Sequence, residues 1–225
     1  MKPITKTLLL LSTLLTSTLF AEPSMQKEPQ FNANISEITP EVKTRMIKAK
    51  SWKRGCPVSL ANLRYIQMNH LNFNGGISSG EMIVHKDVAE EVVFIFEELF
   101  HMNYAINSIK LVSDFNGNDW QSIEAGNTSA FNCRSATGSK NWSKHSYGKA
   151  IDINPIENPY IARNGHISHK ASQKYRKRRH RNLNNLADRA LLLTNDYATM
   201  AFKNYGWQWG GDWSGVKDYQ HFVKK

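Results

Sequence analysis

The amino-acid sequence predicts an α+β fold, with a small antiparallel sheet and flanking helices. Residues 87–104 place apolar side chains at helical spacing, which predicts an amphipathic helix. Residues 106–115 alternate apolar and polar side chains like a strand, and the short runs "KAIDIN" and "YQHFVK" have the same character. Because these segments do not alternate as regular strand–helix–strand units, antiparallel strands are favoured over a parallel sheet.

The first 21 residues have the pattern of a secretory signal peptide. Two lysines lie within residues 1–6, residues 7–20 are apolar and uncharged, and Ala21 supplies a small residue for cleavage. We therefore expect an exported protein of the periplasm or cell envelope. An uncleaved membrane anchor is the alternative, although the apolar run is short for a membrane span.

The remaining chain is long enough for one domain with a sizeable core. Residues 22–55 are polar and contain three prolines, which predicts an amino-terminal arm followed by a short helix. Residues 56–225 are expected to form the functional domain, and a monomer is favoured. The two cysteines, Cys56 and Cys133, would pair in an oxidising compartment. Two buried free thiols are the alternative.

Much of the formal net charge of +10 is concentrated in "HKASQKYRKRRHR", residues 169–181, hereafter the basic segment. In isolation such a run indicates nucleic-acid binding, but the predicted export argues against that partner. A solvated basic loop or helix start is one interpretation. Attraction to an anionic envelope polymer or a membrane surface is the other. Solvation, rather than a second metal site, is also expected for the histidines of this region: His166, His169 and His180.

The chain on either side of "KAIDIN" is rich in turn-forming residues. Residues 116–143 contain many Gly, Asn and Ser, which predicts a long functional loop. A helix is expected near residues 195–205, closed by Gly206. A Gly- and Trp-rich turn follows it. Packing in the core or the turn is favoured for its tryptophans, and a wall of a binding cleft is the alternative: Trp207, Trp209 and Trp213.

A carboxylate inside the apolar run "KAIDIN" indicates a polar site. In a strand, Ile151 and Ile153 point to one face and Asp152 to the other. A charge buried there without a partner would cost several kcal/mol, so Asp152 either faces solvent or is paired. Gly148 breaks the run on its amino-terminal side. We therefore expect His145 on a turn that folds back over Asp152.

The last strand-like segment offers a third ligand. There His221 follows Asp218 by three residues, and a bend at the strand entry would direct both side chains to one point. Zn²⁺ in catalytic sites commonly takes three protein ligands and a water. We predict that His145, Asp152 and His221 bind one zinc ion. Asp218 would then be the general base that activates the water. By spacing alone, a hydrogen-bonded histidine and a surface aspartate stay the alternative.

Two motifs resemble a known family. The stretch "SKHSYGKAIDIN" matches the S-x-H-x-x-G-x-A-x-D signature of the zinc D-Ala-D-Ala carboxypeptidases, the VanX/VanY-like peptidoglycan peptidases. The tail, "GWQWGGDW" followed by "DYQHF", resembles the second motif of that family. "NTSAFNCR" and "DINPIENPY" resemble the branch that contains L-alanyl-D-glutamate endopeptidases. The resemblance extends over about residues 56–222, nearly the whole predicted domain.

The resemblance implies a zinc metallopeptidase with a hedgehog/DD-peptidase-like zinc site that acts on the stem peptides of peptidoglycan. It assigns the same three zinc ligands and the same base as the spacing does. The family also uses an arginine to stabilise the oxyanion. Arg134 is the candidate for this role, and a structural ion pair is its alternative. Ser143 is expected to orient the histidine turn.

The resemblance favours a D-Ala-D-Ala or related carboxypeptidase, with an L-alanyl-D-glutamate endopeptidase as the alternative. From another class, a non-catalytic zinc-containing wall-binding module would keep the ligands without a working base, and Asp218 argues against it. A toxin or nucleic-acid binder would use the basic segment as its main surface. A peptidase could use the same segment to contact anionic envelope polymers.

Overall fold

The computed structural model describes residues 29–225. The predicted signal peptide, residues 1–21, lies outside the described residues. The helices of the described part are α1 (Pro40–Lys48), α2 (Ala89–His101), α3 (Asp119–Glu124), α4 (Leu186–Arg189) and α5 (Tyr197–Asn204). The strands are β1 (Ala33–Ser36), β2 (Leu63–Leu71), β3 (Ile77–His85), β4 (Ser108–Ile109), β5 (Asn127–Thr128), β6 (Ala150–Asp152), β7 (Tyr160–Ile161), β8 (Gln208–Trp209), β9 (Lys217–Asp218) and β10 (His221–Val223).

The strands form several small sheets, which confirms the predicted α+β class. One antiparallel sheet has the order β1-β2-β3, and a second has the order β6-β10-β8. Strands β7 and β9 pair antiparallel, whereas β4 and β5 form a short parallel pair. The described residues contain no helix that is long and apolar enough to cross a membrane.

The longest strands, β2 and β3, form a hairpin that the sequence analysis did not predict. Its turn is held by the Asn72 side chain, whose Oδ1 accepts hydrogen bonds from the backbone N–H of Asn74 at 2.8 Å and of Gly76 at 3.1 Å. Gly75 has φ +81°, a conformation that glycine adopts without steric cost. An Asn-Gly pair between two strand-like runs is the strongest short-range signal of a hairpin.

Strand β1 and helix α1 connect the amino-terminal part to this hairpin. Strand β1 pairs along β2, and α1 is capped by Thr39, whose hydroxyl accepts a hydrogen bond from the backbone N–H of Val42. Buried apolar residues of α1 pack with Leu63, Phe131 and Cys133. The disulfide between Cys56 and Cys133, with a Cα–Cα distance of 5.9 Å, closes this part of the core.

The main core lies between α2, α5 and the sheet that carries the predicted ligands. Phe202 of α5 stacks on Phe222 of β10, with 4.0 Å between the ring centres. Ile151 and Ile153 are fully buried in the same cluster. Burial of these apolar side chains holds β6 and β10 against the helices, and so leaves the other face of the two strands for polar residues.

Two predicted elements are shorter than expected. The strand predicted over residues 106–115 is limited to β4, and Val112–Phe115 forms a 3₁₀ turn. The buried side chain of Asn127 ends the strand because it exchanges hydrogen bonds with the backbone N–H and carbonyl of Lys110. Helix α2 begins at Ala89, after a 3₁₀ turn over Lys86–Val88.

Candidate metal centre

His145 lies on a 3₁₀ turn, Lys144–Tyr147, that leads into β6. The Ser143 hydroxyl accepts a hydrogen bond from the backbone N–H of His145 at the start of this turn. Gly148 ends it with φ +67° and packs closely on β3, where a Cβ at this position would lie 2.6 Å from the backbone nitrogen of His85. The glycine therefore allows the chain to reverse, and His145 folds back towards β6.

Asp152 and His221 are opposite each other on neighbouring strands. They form a cross-strand pair in the antiparallel register of β6 and β10. Side chains that are directly opposite on one face of such a pair lie close together. The sheet thus brings together two residues that are 69 positions apart in the chain.

The three side chains predicted to bind zinc converge in the structure. Asp152 Oδ2 lies 3.2 Å from His145 Nε2, and Asp152 Oδ1 lies 2.9 Å from His221 Nδ1. One nitrogen or oxygen from each residue falls within a group whose members are all within 4.8 Å of one another. All three residues are buried. Two imidazoles and a carboxylate offer the nitrogen and oxygen donors that Zn²⁺ takes.

The hydrogen bonding of His145 suits a metal ligand. Its Nδ1 lies 2.6 Å from the backbone carbonyl oxygen of Ala130, which can only accept, so this nitrogen carries the proton. In the neutral ring, Nε2 then directs a lone pair towards the Asp152 carboxylate, and two acceptors face each other unless a proton or a cation lies between them. A carbonyl that fixes the tautomer of a ligating histidine is common at metal sites. The residues present therefore fit a divalent cation.

The electrostatics of the cluster also favour a bound cation. Burial alone would raise the pKa of Asp152, but the charges and hydrogen bonds of His145 and His221 outweigh it and lower that pKa. Burial opposes the charged form of His145, and the Asp152 carboxylate reverses this effect and raises the pKa of His145. Asp152 therefore stays ionised inside the protein, where it needs a positive partner.

Asp218, the predicted base, lies at the edge of this cluster. It ends β9, and Tyr219 and Gln220 turn the chain into β10. Its Oδ1 is buried and has no hydrogen-bond partner among the described residues. Burial and the negative charge of Asp152 raise the pKa of Asp218 to about 7, against the opposing effect of His221 and His145. A buried carboxylate oxygen with a free lone pair and such a pKa suits a general base.

Arg134 forms an ion pair with a residue that the sequence analysis did not single out. Its guanidinium Nη2 lies 2.8 Å from Asp119 Oδ2, at the start of α3. The Ser146 hydroxyl holds the backbone of Arg134 in place, with contacts of 3.0 Å to its N–H and 2.8 Å to its carbonyl. The Nε atom is buried without a partner among the described residues. The structural ion pair is thus present, and one N–H of Arg134 stays available for a further acceptor.

The tryptophans of the turn divide between core and cluster. Trp207 and Trp209 are buried, as the favoured packing interpretation expects. The ring centres of Trp213 and His221 are 5.5 Å apart. Gly210 leaves no room for a Cβ because it packs on the backbone of Asp218. The turn therefore supports the end of β9.

Two of the three histidines predicted to be solvated, His166 and His180, are exposed, whereas His169 is partly buried. His169 contacts Glu124 with 2.5 Å between Nδ1 and Oε2, and its ring stacks on Trp120 at 3.9 Å between centres. The Nδ1 of His180 lies 2.8 Å from the carbonyl oxygen of Asp188. His166 is exposed. The contact of His169 with α3, which is remote in sequence, accounts for its partial burial.

Residues 137–224 match a family model described as D-alanyl-D-alanine carboxypeptidase. The match covers rather less than half of the chain and contains the three residues of the metal cluster together with Asp218. No curated protein and no solved structure matches the chain significantly. The match confirms the family resemblance that the two motifs indicate, because both motifs lie within residues 137–224, which are similar to the D-alanyl-D-alanine carboxypeptidase family model.

Proposed function

We propose that this protein is an exported zinc metallopeptidase that hydrolyses a peptide bond in the stem peptides of peptidoglycan, as a D-Ala-D-Ala or related carboxypeptidase. One observation carries the proposal. The buried His145–Asp152–His221 cluster interacts electrostatically with Asp218, whose buried Oδ1 has no protein partner among the described residues. The family match over residues 137–224 supports the peptidase class.

In this proposal His145, Asp152 and His221 would hold the zinc ion. When bound, zinc polarises a carbonyl and lowers the pKa of a coordinated water. Ala130 keeps the His145 ring in the required tautomer through its carbonyl oxygen. All three ligands are buried, so bulk water screens their charges little. The electrostatic interactions among them are therefore strong.

Asp218 carries the proton transfers. Burial and the charge of Asp152 raise its pKa, so the carboxylate can accept a proton near neutral pH and return it afterwards. It would take the proton of the attacking water and donate it to the nitrogen of the departing amine. Arg134 would direct its free Nε–H towards the oxygen on which negative charge develops, while Asp119 fixes the guanidinium.

The test is hydrolysis of defined muropeptides by the zinc-loaded mature protein, with products identified by mass spectrometry. Loss of a single D-alanine that stops on chelation and returns with zinc is the expected result. Cleavage after L-Ala would replace the carboxypeptidase by an L-alanyl-D-glutamate endopeptidase on the same site. If the protein binds one zinc ion but cleaves none of the peptides, the enzyme proposal fails in favour of a wall-binding module.

A further inference from the structure

The basic segment is folded against the domain rather than extended into solvent. Its first half forms a 3₁₀ helix, Lys170–Tyr175, whose residues Ser172 and Tyr175 are buried. Tyr175 packs with Ile156 and Leu191 in a small apolar cluster. The segment therefore has an inner face that belongs to the core and an outer face in solvent.

Arg178 is the main attachment of the inner face. Its guanidinium donates hydrogen bonds to the carbonyl oxygen of Glu157 at 2.6 Å, to Asn158 Oδ1 at 2.6 Å and to the carbonyl oxygen of Leu192 at 3.0 Å. It also lies over the ring of Tyr219, the residue that follows Asp218. This arginine thus fixes the segment next to the strand that carries the predicted base.

The start of the segment is attached to α3. His169 pairs with Glu124 and stacks on Trp120, as described above. The first residue of α3, Asp119, holds Arg134. The segment is consequently fixed to α3, which supplies Asp119, and to Tyr219, which directly follows Asp218 at the end of β9.

The outer face carries cations without acidic partners. The basic segment contains no Asp or Glu. One outward cation, Arg181, pairs with Asp188 at 2.9 Å. Within the described residues, the other five outward cations have no carboxylate oxygen within 4.0 Å, the ion-pair limit. These exposed residues, hereafter the cationic face, are Lys170, Lys174, Arg176, Lys177 and Arg179. Like charges kept close together destabilise a compact protein through self-repulsion, so their presence on an anchored segment favours a role in binding.

We propose that the cationic face binds the carboxylate-rich polymer of intact peptidoglycan and holds it beside the metal centre, so that the protein acts on the polymer in preference to free peptides. The inference rests on the proposed function for the identity of the polymer. The five cations are distributed along ten residues of the chain, which suits a repeating polyanion better than a single small anion. Attraction of this kind raises the local concentration of substrate and is screened by salt.

The surface chemistry favours a polymer over a membrane. Peripheral membrane binding combines cations with an apolar face that enters the lipid. The large apolar side chain of the basic segment, Tyr175, is buried. Leu183, which follows the segment, and Trp120, which stacks on His169, are exposed. These two separate side chains present much less apolar surface than the continuous face of an interfacial helix.

The test compares two variants that each remove four positive charges. The first carries Lys170→Gln, Lys174→Gln, Lys177→Gln and Arg179→Gln on the cationic face. The control carries Lys43→Gln, Lys48→Gln, Lys53→Gln and Arg54→Gln, all exposed in or after α1. Both are made in an Asp218→Asn background, so that sedimentation with purified peptidoglycan measures binding without cleavage. Vesicles containing phosphatidylglycerol and a DNA duplex are the other probes.

We expect the first variant to bind peptidoglycan about tenfold more weakly than its parent and with less dependence on salt. The control variant should bind like the parent. With Asp218 restored, both variants should hydrolyse a soluble stem peptide at the parental rate. An equal loss of binding in the control would overturn the inference, as would tighter binding to vesicles or DNA than to peptidoglycan. Because binding is measured without cleavage, a failure of the proposed enzyme activity is recorded separately.

Discussion

The guanidinium carbon of Arg178 lies 4.4 Å from the centre of the Tyr219 ring. This contact joins the basic segment to Tyr219, which follows the predicted base and begins the turn into β10. Burial lowers the pKa of Arg178 to about 10, so the arginine stays charged at neutral pH. A residue within the most basic run of the chain therefore acts as a structural element of the fold.

We expect Arg178→Gln to destabilise the protein by about 1–3 kcal/mol, because it removes the guanidinium donor to the carbonyl oxygens of Glu157 and Leu192 and one of the two donors to Asn158 Oδ1. Its exposed neighbour offers a matched control, and Arg179→Gln should change stability by no more than about 0.5 kcal/mol. Urea unfolding followed by circular dichroism measures both. Equal effects of the two substitutions would show that Arg178 is not an internal support.

The Asp218→Asn variant should retain zinc and lose activity. Its side chain has nearly the same shape but cannot accept the proton, so kcat should fall by about 10²–10⁴. Asp152→Asn, by contrast, removes the only carboxylate among the three predicted ligands and should reduce the zinc content as well. Metal analysis of both proteins separates the two roles. Loss of zinc from Asp218→Asn would instead make Asp218 a ligand.

The pH profile of the wild-type enzyme should follow Asp218. Burial and the charge of Asp152 raise its pKa to about 7, and only the deprotonated carboxylate can act as base. A bound zinc ion adds positive charge beside the carboxylate and lowers this pKa, so kcat/KM should decrease, approaching tenfold per pH unit, as the pH falls through the lowered value. Initial rates on a soluble stem peptide give the profile. A profile that stays flat across the acidic range would exclude Asp218 as the titrating base.

Protonation of Glu157, a residue outside the metal centre, makes the free energy of unfolding depend on pH. Burial raises its pKa from 4.5 to about 7, and its Oε2 has no partner within the described part of the chain. The folded state thus binds more protons than the unfolded state between these pH values. The protonated Glu157 therefore contributes to the free energy of unfolding by about 3 kcal/mol at most. This stabilisation is fully present below about pH 4.5 and is lost as the pH rises through 7.

The substitution Glu157→Gln should remove this pH dependence of the free energy of unfolding. We expect the free energy of unfolding of the variant to depend less on pH between about 5 and 8 than that of the wild type. Urea titrations at several pH values provide the comparison. Parallel curves for the two proteins would mean that Glu157 does not titrate in this range.

The disulfide should contribute substantially to stability. It joins residues with a sequence separation of 77, and the chain-entropy model assigns a loop of this size about 4–5 kcal/mol. The double variant Cys56→Ser, Cys133→Ser and the reduced wild type should lower the unfolding midpoint by similar amounts. If reduction has no effect while the double variant unfolds readily, then packing of the buried Cys133 is the larger contribution.

Much of the candidate site follows from local spacing. Gly148 breaks the apolar run before β6, and alternation along the strand separates Asp152 from the two isoleucines, so the turn that carries His145 is predictable from these residues alone. The hairpin of β2 and β3 also had a local signal in Asn74 and Gly75. The strand predicted over residues 106–115 failed because Asn127, a residue further along the chain, ends it.

The sequence by itself determined the α+β class, the two motifs of the peptidase family and the candidate ligands, because the residue types and their spacing are local properties. The tertiary structure decided which charges are buried. Asp119 meets Arg134, and Arg178 enters the core, through contacts between segments far apart in the chain. Desolvation and pairing depend on those contacts, so no run of letters distinguishes Arg178 from the exposed Arg179 beside it.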